Sequence, residues 1–221
     1  MTNVWITRTQ PAADKTAQAV RDMGFVPVVA PVLRVVPAKI MPPPPRKDAV
    51  LVFTSGNGVR AYCELTEHRN WPVVTVGDAT AELASAVGFT QVNSASGASE
   101  DVTRLIKTKY KTDRPIVHCA GQIVRGTIAE DLHAAGYVAE RHIYYRTEPT
   151  GRIPDLGGIN YILLHSPLAA QTLRNLKPES SHITAICMSE AVRAALGTLA
   201  LREIRVANAP TQTALLACLP H

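Results

Sequence analysis

The sequence predicts an α/β protein built from two similar domains, each with a parallel sheet flanked by helices. Short β-branched runs alternate with segments of helical periodicity along the chain, a pattern typical of parallel sheets. Strand-then-helix segments also recur about 111 residues later, so that Ser55 and Ser166 occupy equivalent places. The 221 residues suffice for two domains of roughly 100 residues each. A duplicated domain further predicts a cleft between the two copies.

Three matched segments carry the duplication, and each joins a strand to the start of a helix. The pairs are 4–8 with 116–120, 51–55 with 162–166, and 74–77 with 185–188. Because only two copies are present, the chain is not a solenoid array. The residues alone leave open whether each domain is one continuous half of the chain or whether the halves exchange segments.

Ten strands and eight helices are expected from the alternation. The strands are expected at 3–7, 26–30, 49–53, 73–76, 90–93, 115–119, 138–143, 160–164, 183–187 and 203–207. The helices are expected between Thr9 and Gly24 and near 58–67, 79–87, 99–109, 124–135, 167–176, 189–198 and 211–219. Apolar spacing places Ala13, Ala17 and Val20 on the inward face of the first helix, and Gly88 and Gly136 are expected C-terminal caps. Two irregular segments are expected, the proline run at 42–45 and the stretch 146–158.

Composition excludes several classes of protein. The formal charge of +5 and the pI near 9.2 are basic, but no run of five basic residues occurs and aromatic residues make up only 5%. An anionic small molecule is therefore favoured over a nucleic acid as the partner. No apolar run reaches the ~18 residues of a membrane helix, and the chain enters a strand without a leader. We expect a cytoplasmic protein that does not bind membranes.

The residues predict no metal or nucleotide cofactor. The four cysteines, at 63, 119, 187 and 218, are scattered through apolar segments without metal-ligand spacing, so they are expected to be buried free thiols. His118 and Cys119 are adjacent in a strand and point to opposite faces, which favours a structural role over a nucleophile and its base. The glycines between Gly121 and Gly126 do not have the spacing of a phosphate-binding loop.

Candidate binding residues follow the strands. Small hydroxyl and glycine residues occupy six turns, at 7–9, 54–57, 77–80, 166–167, 189 and 210–211. In parallel sheets these turns lie at the carboxyl edge, where helix N-termini attract anions, so they suit a ligand with many carboxylates. The alternative is that Thr9, Ser55, Ser166 and Ser189 only cap their helices.

The order and spacing of several segments resemble the uroporphyrinogen-III synthase family from Val4 to Leu219. The segments are Val-Trp-Ile-Thr-Arg at 4–8, Val-Phe-Thr-Ser-x-Asn-x-Val at 52–59, Val-Gly-x-x-Thr-Ala at 76–81, Gly-x-x-Glu at 97–100, Tyr-Arg-Thr at 145–147, Ser-Pro at 166–167 and Ala-Pro-Thr-x-x-x-Leu at 209–215. The weakest match is 187–190, where the family usually carries Gly-Pro-x-Thr and this chain has Glu190 in place of a hydroxyl.

The resemblance implies two Rossmann-like or flavodoxin-like domains joined by a two-stranded connector. The first domain would comprise 1–36 and 148–221, and the second would comprise 39–143. The connectors would lie near 35–38 and 144–147 and act as a hinge.

The resemblance also implies a reaction. The substrate would be hydroxymethylbilane, an anionic linear tetrapyrrole with eight carboxylates. The enzyme closes it with loss of water, inverting the last ring through a spiro intermediate, without a metal or redox cofactor. We expect a monomer that contacts the preceding pathway enzyme only transiently.

By position, Tyr145 matches the family tyrosine that would hydrogen-bond to the leaving hydroxyl, unless it only packs the connector. The residues implied to bind carboxylates are Arg8, Ser55, Asn57, Thr80, Ser166, Ser189 and Thr211. Three alternatives to the enzyme remain: a non-catalytic binding protein for an anionic metabolite, an inactive family member that serves as a partner of pathway enzymes, and a structural scaffold.

Overall fold

A computed structural model describes residues 1–124 and 126–220, which form eleven strands and eight helices. The strands are β1 Asn3–Ile6, β2 Val26–Val29, β3 Leu33–Pro37, β4 Val50–Phe53, β5 Val73–Thr75, β6 Val92–Ser94, β7 Ile116–Gly121, β8 Ala139–Pro149, β9 Ile159–Leu164, β10 Thr184–Cys187 and β11 Glu203–Val206. The helices are α1 Ala12–Asp22, α2 Gly56–Leu65, α3 Asp78–Ala86, α4 Ser99–Lys109, α5 Ile128–Ala134, α6 Pro167–Leu176, α7 Glu190–Leu196 and α8 Gln212–Leu216.

The predicted fold class, α/β with two parallel sheets, is confirmed. One sheet has the strand order β11-β10-β9-β1-β2, and its four neighbouring pairs are parallel. The other sheet has the order β3-β8-β7-β4-β5-β6, and its pairs from β8 to β6 are parallel. The chain divides into two compact units, one formed by Met1–Arg34 with Glu148–His221 and the other by Val35–Thr147.

In the first unit, helices cover both faces of the five-stranded sheet. Val4 and Ile6 of β1 pack on the face with α1 and α8, whereas Trp5, the residue between them, packs on the face with α6 and α7. This alternation is the period-2 geometry of a strand buried on both sides. The helix after β1 and the helix after β9 lie on opposite faces, so a crevice opens between the carboxyl ends of these two adjacent strands.

The second unit is built in the same way. Val50 and Val52 of β4 pack with α4 and α5, and Leu51 and Phe53 pack with α2 and α3 on the other face. The helices change face between β7 and β4, which are paired in parallel. The crevice of this sheet therefore lies at the carboxyl ends of β4 and β7.

The strand orders answer the question that the sequence repeat left open. β2-β1-β9-β10-β11 in the first unit corresponds to β8-β7-β4-β5-β6 in the second, strand by strand. The repeated segments 4–8 and 116–120 supply β1 and β7, which lie in different units. Each unit thus combines the first part of one sequence repeat with the second part of the other. The two halves exchange segments, and β3 pairs with β8 as a sixth strand.

Most elements lie where they are expected, and the differences have local causes. The stretch 146–158 is not irregular throughout, because β8 continues to Pro149. The two tyrosines and the threonine of β8 favour a strand. β8 also pairs with β3, a strand that is not among the ten expected. Helix α5 begins at Ile128 rather than near 124, since Gly126 has a φ of 86° that a helix does not accommodate. Residue 125 of that expected helix lies outside the described residues.

Several finer expectations are confirmed. Ala13, Ala17 and Val20 form the buried face of α1. Gly88 and Gly136 follow α3 and α5 with φ of 104° and 85°, the left-handed region in which glycine ends helices.

The cysteine expectation is half right. All four thiols are free, but only Cys119 and Cys187 are buried, while Cys63 and Cys218 are partly exposed. Across 1–124 and 126–220, no group of three or more His, Cys, Asp or Glu side chains is arranged to hold a metal ion. No helix in this part of the chain has the length and apolar character to cross a membrane.

Candidate functional site

The carboxyl edge of the second unit brings Ser55 and Tyr145 into contact. Ser55 follows β4, and Tyr145 lies in β8, 90 residues later in the chain. Their hydroxyl oxygens are 3.1 Å apart, so one donates a hydrogen bond to the other. Both side chains are partly buried. A serine and a tyrosine that were singled out separately from the sequence therefore form one polar pair.

Gly121, at the end of β7, allows the Tyr145 ring to occupy this position. A Cβ at residue 121 would lie 2.8 Å from two ring carbons of Tyr145, closer than packed carbons approach. The backbone N–H of Gln122 also donates to the carbonyl of Tyr145 at 2.8 Å. The end of β7 thus leaves room for the ring, and the residue after it fixes the backbone of Tyr145.

Ser55 also caps α2. Its backbone is extended, with φ of −157°, and its hydroxyl accepts a 3.4 Å hydrogen bond from the N–H of Gly58. A Cβ on Gly58 would lie only 2.7 Å from the carbonyl oxygen of Cys119, so the helix start packs tightly on β7. Ser55 therefore caps α2, and the same hydroxyl also reaches Tyr145.

The other two residues singled out in this unit lie nearby along the sheet edge. The Asn57 side-chain oxygen in α2 accepts a hydrogen bond from Arg60 at 3.4 Å. Thr80 is in the first turn of α3, after the adjacent strand β5, and is 9% exposed. Asp78 begins α3 and accepts a hydrogen bond from Ser96 at 3.0 Å. Hydrogen bonds from Ser94 and Ser96 lower the pKa of Asp78, which keeps a negative charge at this helix start.

An acid also begins the equivalent helix of the first unit. Glu190 is the first residue of α7, and its carboxylate accepts a hydrogen bond from Arg193 at 3.2 Å. Ser189 before it makes no side-chain capping bond, so the capping alternative is wrong there. Because an anionic side chain already lies at the N-termini of α3 and α7, these turns are less favourable for a ligand anion than those of α2 and α6.

Arg8 of the first unit is held in a polar cluster at the carboxyl edge of its sheet. Its guanidinium Nη1 donates to Thr16 Oγ1 at 3.3 Å and to Gln212 Oε1 at 3.2 Å. The imidazole Nε2 of His165 lies 3.0 Å from the same Gln212 oxygen. Partial burial lowers the pKa of Arg8, but an arginine remains charged at neutral pH.

Two further candidate hydroxyls cap helices in the first unit, and one does not. Ser166 accepts from the N–H of Ala169 at 3.2 Å, and Thr211 accepts from the N–H of Ala214 at 3.2 Å. Thr9 does not cap α1, which begins instead after Pro11. Ser166 and Thr211 are adjacent in sequence to His165 and Gln212, so capping residues flank the polar cluster.

Two histidines at these edges, His118 buried and His165 partly buried, are not among the candidate residues. His118 Nε2 lies 3.3 Å from Thr54 Oγ1, and burial, followed by the charge of Arg141, lowers the pKa of His118 to about 4. Burial, followed by the charge of Arg8, likewise lowers the pKa of His165 to about 4. Both rings are therefore neutral at pH 7. The repeat aligns His165 with Thr54, so a histidine replaces a small hydroxyl residue at this turn. That replacement is the sequence feature that could have indicated a role for His165.

Comparisons with known proteins agree on one family. The family model described as uroporphyrinogen-III synthase HemD matches residues 14–217. A Helicobacter pylori uroporphyrinogen-III synthetase structure is 14% identical, with a TM-score of 0.67 over 98% of this chain and 97% of that chain. A mutant uroporphyrinogen III synthase from Thermus thermophilus is also 14% identical, with a TM-score of 0.54 over 98% and 96%. At these identities the two structures show the fold alone. A search of curated proteins finds no match.

Proposed function

The chain belongs to the uroporphyrinogen-III synthase family, and we propose that its Tyr145–Ser55 pair assists the ring closure that this family performs. The activity is the cyclisation of hydroxymethylbilane in tetrapyrrole biosynthesis, and the substrate is accordingly a tetrapyrrole. Family membership favours this activity over the non-catalytic binding protein, the inactive partner and the scaffold. The contact between the two hydroxyls at the carboxyl edge is the observation that supports their role.

The chemistry requires a hydroxyl group to leave as water. We propose that the phenol of Tyr145 donates a hydrogen bond to the leaving oxygen, while Ser55 orients the phenol. The pyrrole ring that carries the departing hydroxymethyl group loses its N–H proton as the C–O bond breaks. This proton and the departing hydroxide together account for the water lost. The resulting azafulvene is attacked by the substituted carbon of the last ring, and the spiro intermediate reopens and closes as the type III isomer. A tyrosine remains protonated at neutral pH and can therefore donate.

The substrate carboxylates need hydrogen-bond and charge partners. The residues proposed to bind them are Arg8, Ser55, Asn57, Thr80, Ser166, Ser189 and Thr211. The N-termini of α2 and α6 support this proposal, because each begins after a serine and carries no acid in its first turn. Arg8 adds a fixed positive charge. Thr80 and Ser189 are weaker candidates for binding carboxylates, because α3 and α7 begin with the acids Asp78 and Glu190.

Domain boundaries and cellular setting are also proposals. We propose domains 1–36 with 148–221 and 39–143, with connectors near 35–38 and 144–147. The division of the chain within β3 and β8 supports these bounds. We further propose a cytoplasmic monomer that meets the preceding pathway enzyme transiently. The four free thiols support a reducing compartment.

Isomer analysis of the product tests the activity. The purified chain is supplied with freshly generated hydroxymethylbilane, and the ratio of type III to type I uroporphyrinogen is measured. Uncatalysed closure gives type I, so a predominance of type III is expected. Type I alone, from a protein whose circular dichroism shows it folded, would refute the activity.

A further inference from the structure

The polar cluster around Arg8 is costly to fold. Gln212 Nε2 and His165 Nδ1 are buried, and neither has a hydrogen-bond partner within the described residues. Most buried polar atoms in proteins are paired, and each unpaired one lowers stability. Arg8 adds to this cost, because across 1–124 and 126–220 it has hydrogen bonds to two neutral side chains and no carboxylate partner. Such a cluster is better explained by a task than by stability.

The hydrogen bonds of the cluster determine how the Gln212 amide is oriented. Gln212 Oε1 accepts from Arg8 Nη1, so the amide oxygen must face the guanidinium. His165 is neutral, and its Nε2–H is the donor that the same oxygen accepts at 3.0 Å. Turning the Gln212 amide over would lose the bond from Arg8 and place NH₂ against a cation, and His165 could keep its bond only by moving the ring proton to Nδ1. Arg8 and His165 together therefore fix the amide, and the amide holds one end of the guanidinium.

We infer that Gln212, oriented by His165, is a positioning residue that holds the Arg8 guanidinium ready for a carboxylate of the substrate. This inference rests on the proposed function. A neutral amide suits the task, because it anchors one nitrogen of the guanidinium without cancelling the charge. The remaining nitrogens can then form the paired hydrogen bonds that arginine makes with carboxylates.

Substitutions at residue 212 separate positioning from packing. Gln212→Leu removes the anchor and the unpaired amide nitrogen at this side chain, so the urea midpoint of unfolding should stay unchanged or rise. KM for hydroxymethylbilane should rise about 5- to 10-fold with kcat within about 2-fold, because binding lost equally from ground and transition states changes KM alone. Gln212→Glu should raise KM at least as much, since its carboxylate would occupy Arg8. Gln171→Leu, on the exposed side of α6, is the matched control and should change neither constant.

A double-mutant cycle with Arg8 provides the decisive readout. Arg8→Gln should raise KM roughly 10- to 100-fold, the effect of losing a charge-assisted contact. If Gln212 acts through Arg8, adding Gln212→Leu to Arg8→Gln should raise KM no further. Additive effects, an unchanged KM in Gln212→Leu, or a lowered urea midpoint with normal KM would each overturn the inference.

The wild-type chain distinguishes this inference from the proposed activity. Type III product with a normal KM in Gln212→Leu would reject the positioning role and leave the activity intact. Type I product alone from the wild type would reject the activity, and the positioning role would fall with it.

Discussion

The carboxyl edges of the two sheets are built on the same duplicated frame but present different chemistry. Ser55 and Ser166 are equivalent in the repeat, and each caps the helix that follows its strand. In the second unit the serine reaches the phenol of Tyr145, whereas in the first unit the residue before the serine reaches Gln212 and, through it, Arg8. One edge thus presents a phenol hydroxyl, and the other presents a guanidinium.

The two units share their helix caps and differ in the side chains that reach past those caps. The helix starts are retained in both units because a cap satisfies backbone N–H groups whatever the ligand. The side chains that reach past the caps come from neighbouring strands and helices, and they differ between the units. The phenol of the second unit suits a departing hydroxyl, and the guanidinium of the first unit suits a carboxylate.

The largest effect is expected for Tyr145→Phe, which removes the phenol and keeps the ring. Closure to type III should slow by at least ~10-fold, since a single general-acid contribution is ~10²-fold or more. The measurement is kcat for consumption of hydroxymethylbilane, with the isomer ratio. Tyr161→Phe, in β9 of the first unit, is the matched control and should retain the wild-type rate. An unchanged rate in a folded Tyr145→Phe protein would remove the phenol from the mechanism.

The pair that this prediction tests could not be deduced from the sequence. Ser55 and Tyr145 were each singled out by position, but their contact spans 90 residues and depends on the exchange of segments between the repeats. Local pattern predicted the strands and helices well because burial on both sheet faces produces continuous apolar runs. Local pattern could not decide whether β4 pairs with β1 or with β7, because β1 and β7 are equivalent strands of the two repeats.

The cluster around Arg8 was only partly foreseen for a related reason. Arg8 was proposed as a carboxylate ligand, yet Gln212 reads as an ordinary first-turn residue of α8 and His165 as a strand-end residue. Their roles come from convergence of three distant segments on one oxygen atom. The extension of β8 to Pro149 was missed similarly, since its strand partner β3 is more than 100 residues away.

A second effect is expected on the pH dependence of stability, and it should be common to both edges. His118 has a pKa of about 4 in the folded protein against 6.5 when unperturbed, so between these pH values the ring is protonated in the unfolded chain and neutral in the folded chain. The stabilising contribution of His118 is therefore fully present above pH 6.5 and is lost as the pH falls towards 4. The contribution of His118, which is 3% exposed, is about 2 to 3 kcal/mol.

Urea unfolding at pH 7 and pH 4.5 measures this contribution. In His118→Gln, the loss of unfolding free energy between these pH values should be smaller than in the wild type. The exposed His68 supplies the control, and His68→Gln should keep the wild-type difference. If His118→Gln loses as much stability on acidification as the wild type, the buried neutral ring is not a source of the pH dependence.

The smallest effects, and the most direct test of the comparison, are expected from Ser55→Ala and Ser166→Ala. Each variant loses one helix cap and should unfold about 1 kcal/mol more easily, because an N–H of the first turn loses its partner. Only Ser55→Ala also frees the phenol of Tyr145, so kcat should fall several-fold in that variant and remain near the wild-type value in Ser166→Ala. Unfolding in urea and steady-state kinetics on both proteins provide the measurements. Equal losses of kcat in the two variants would mean that the serines act alike as caps or anion ligands, and the division of tasks between the two sheet edges would then be wrong.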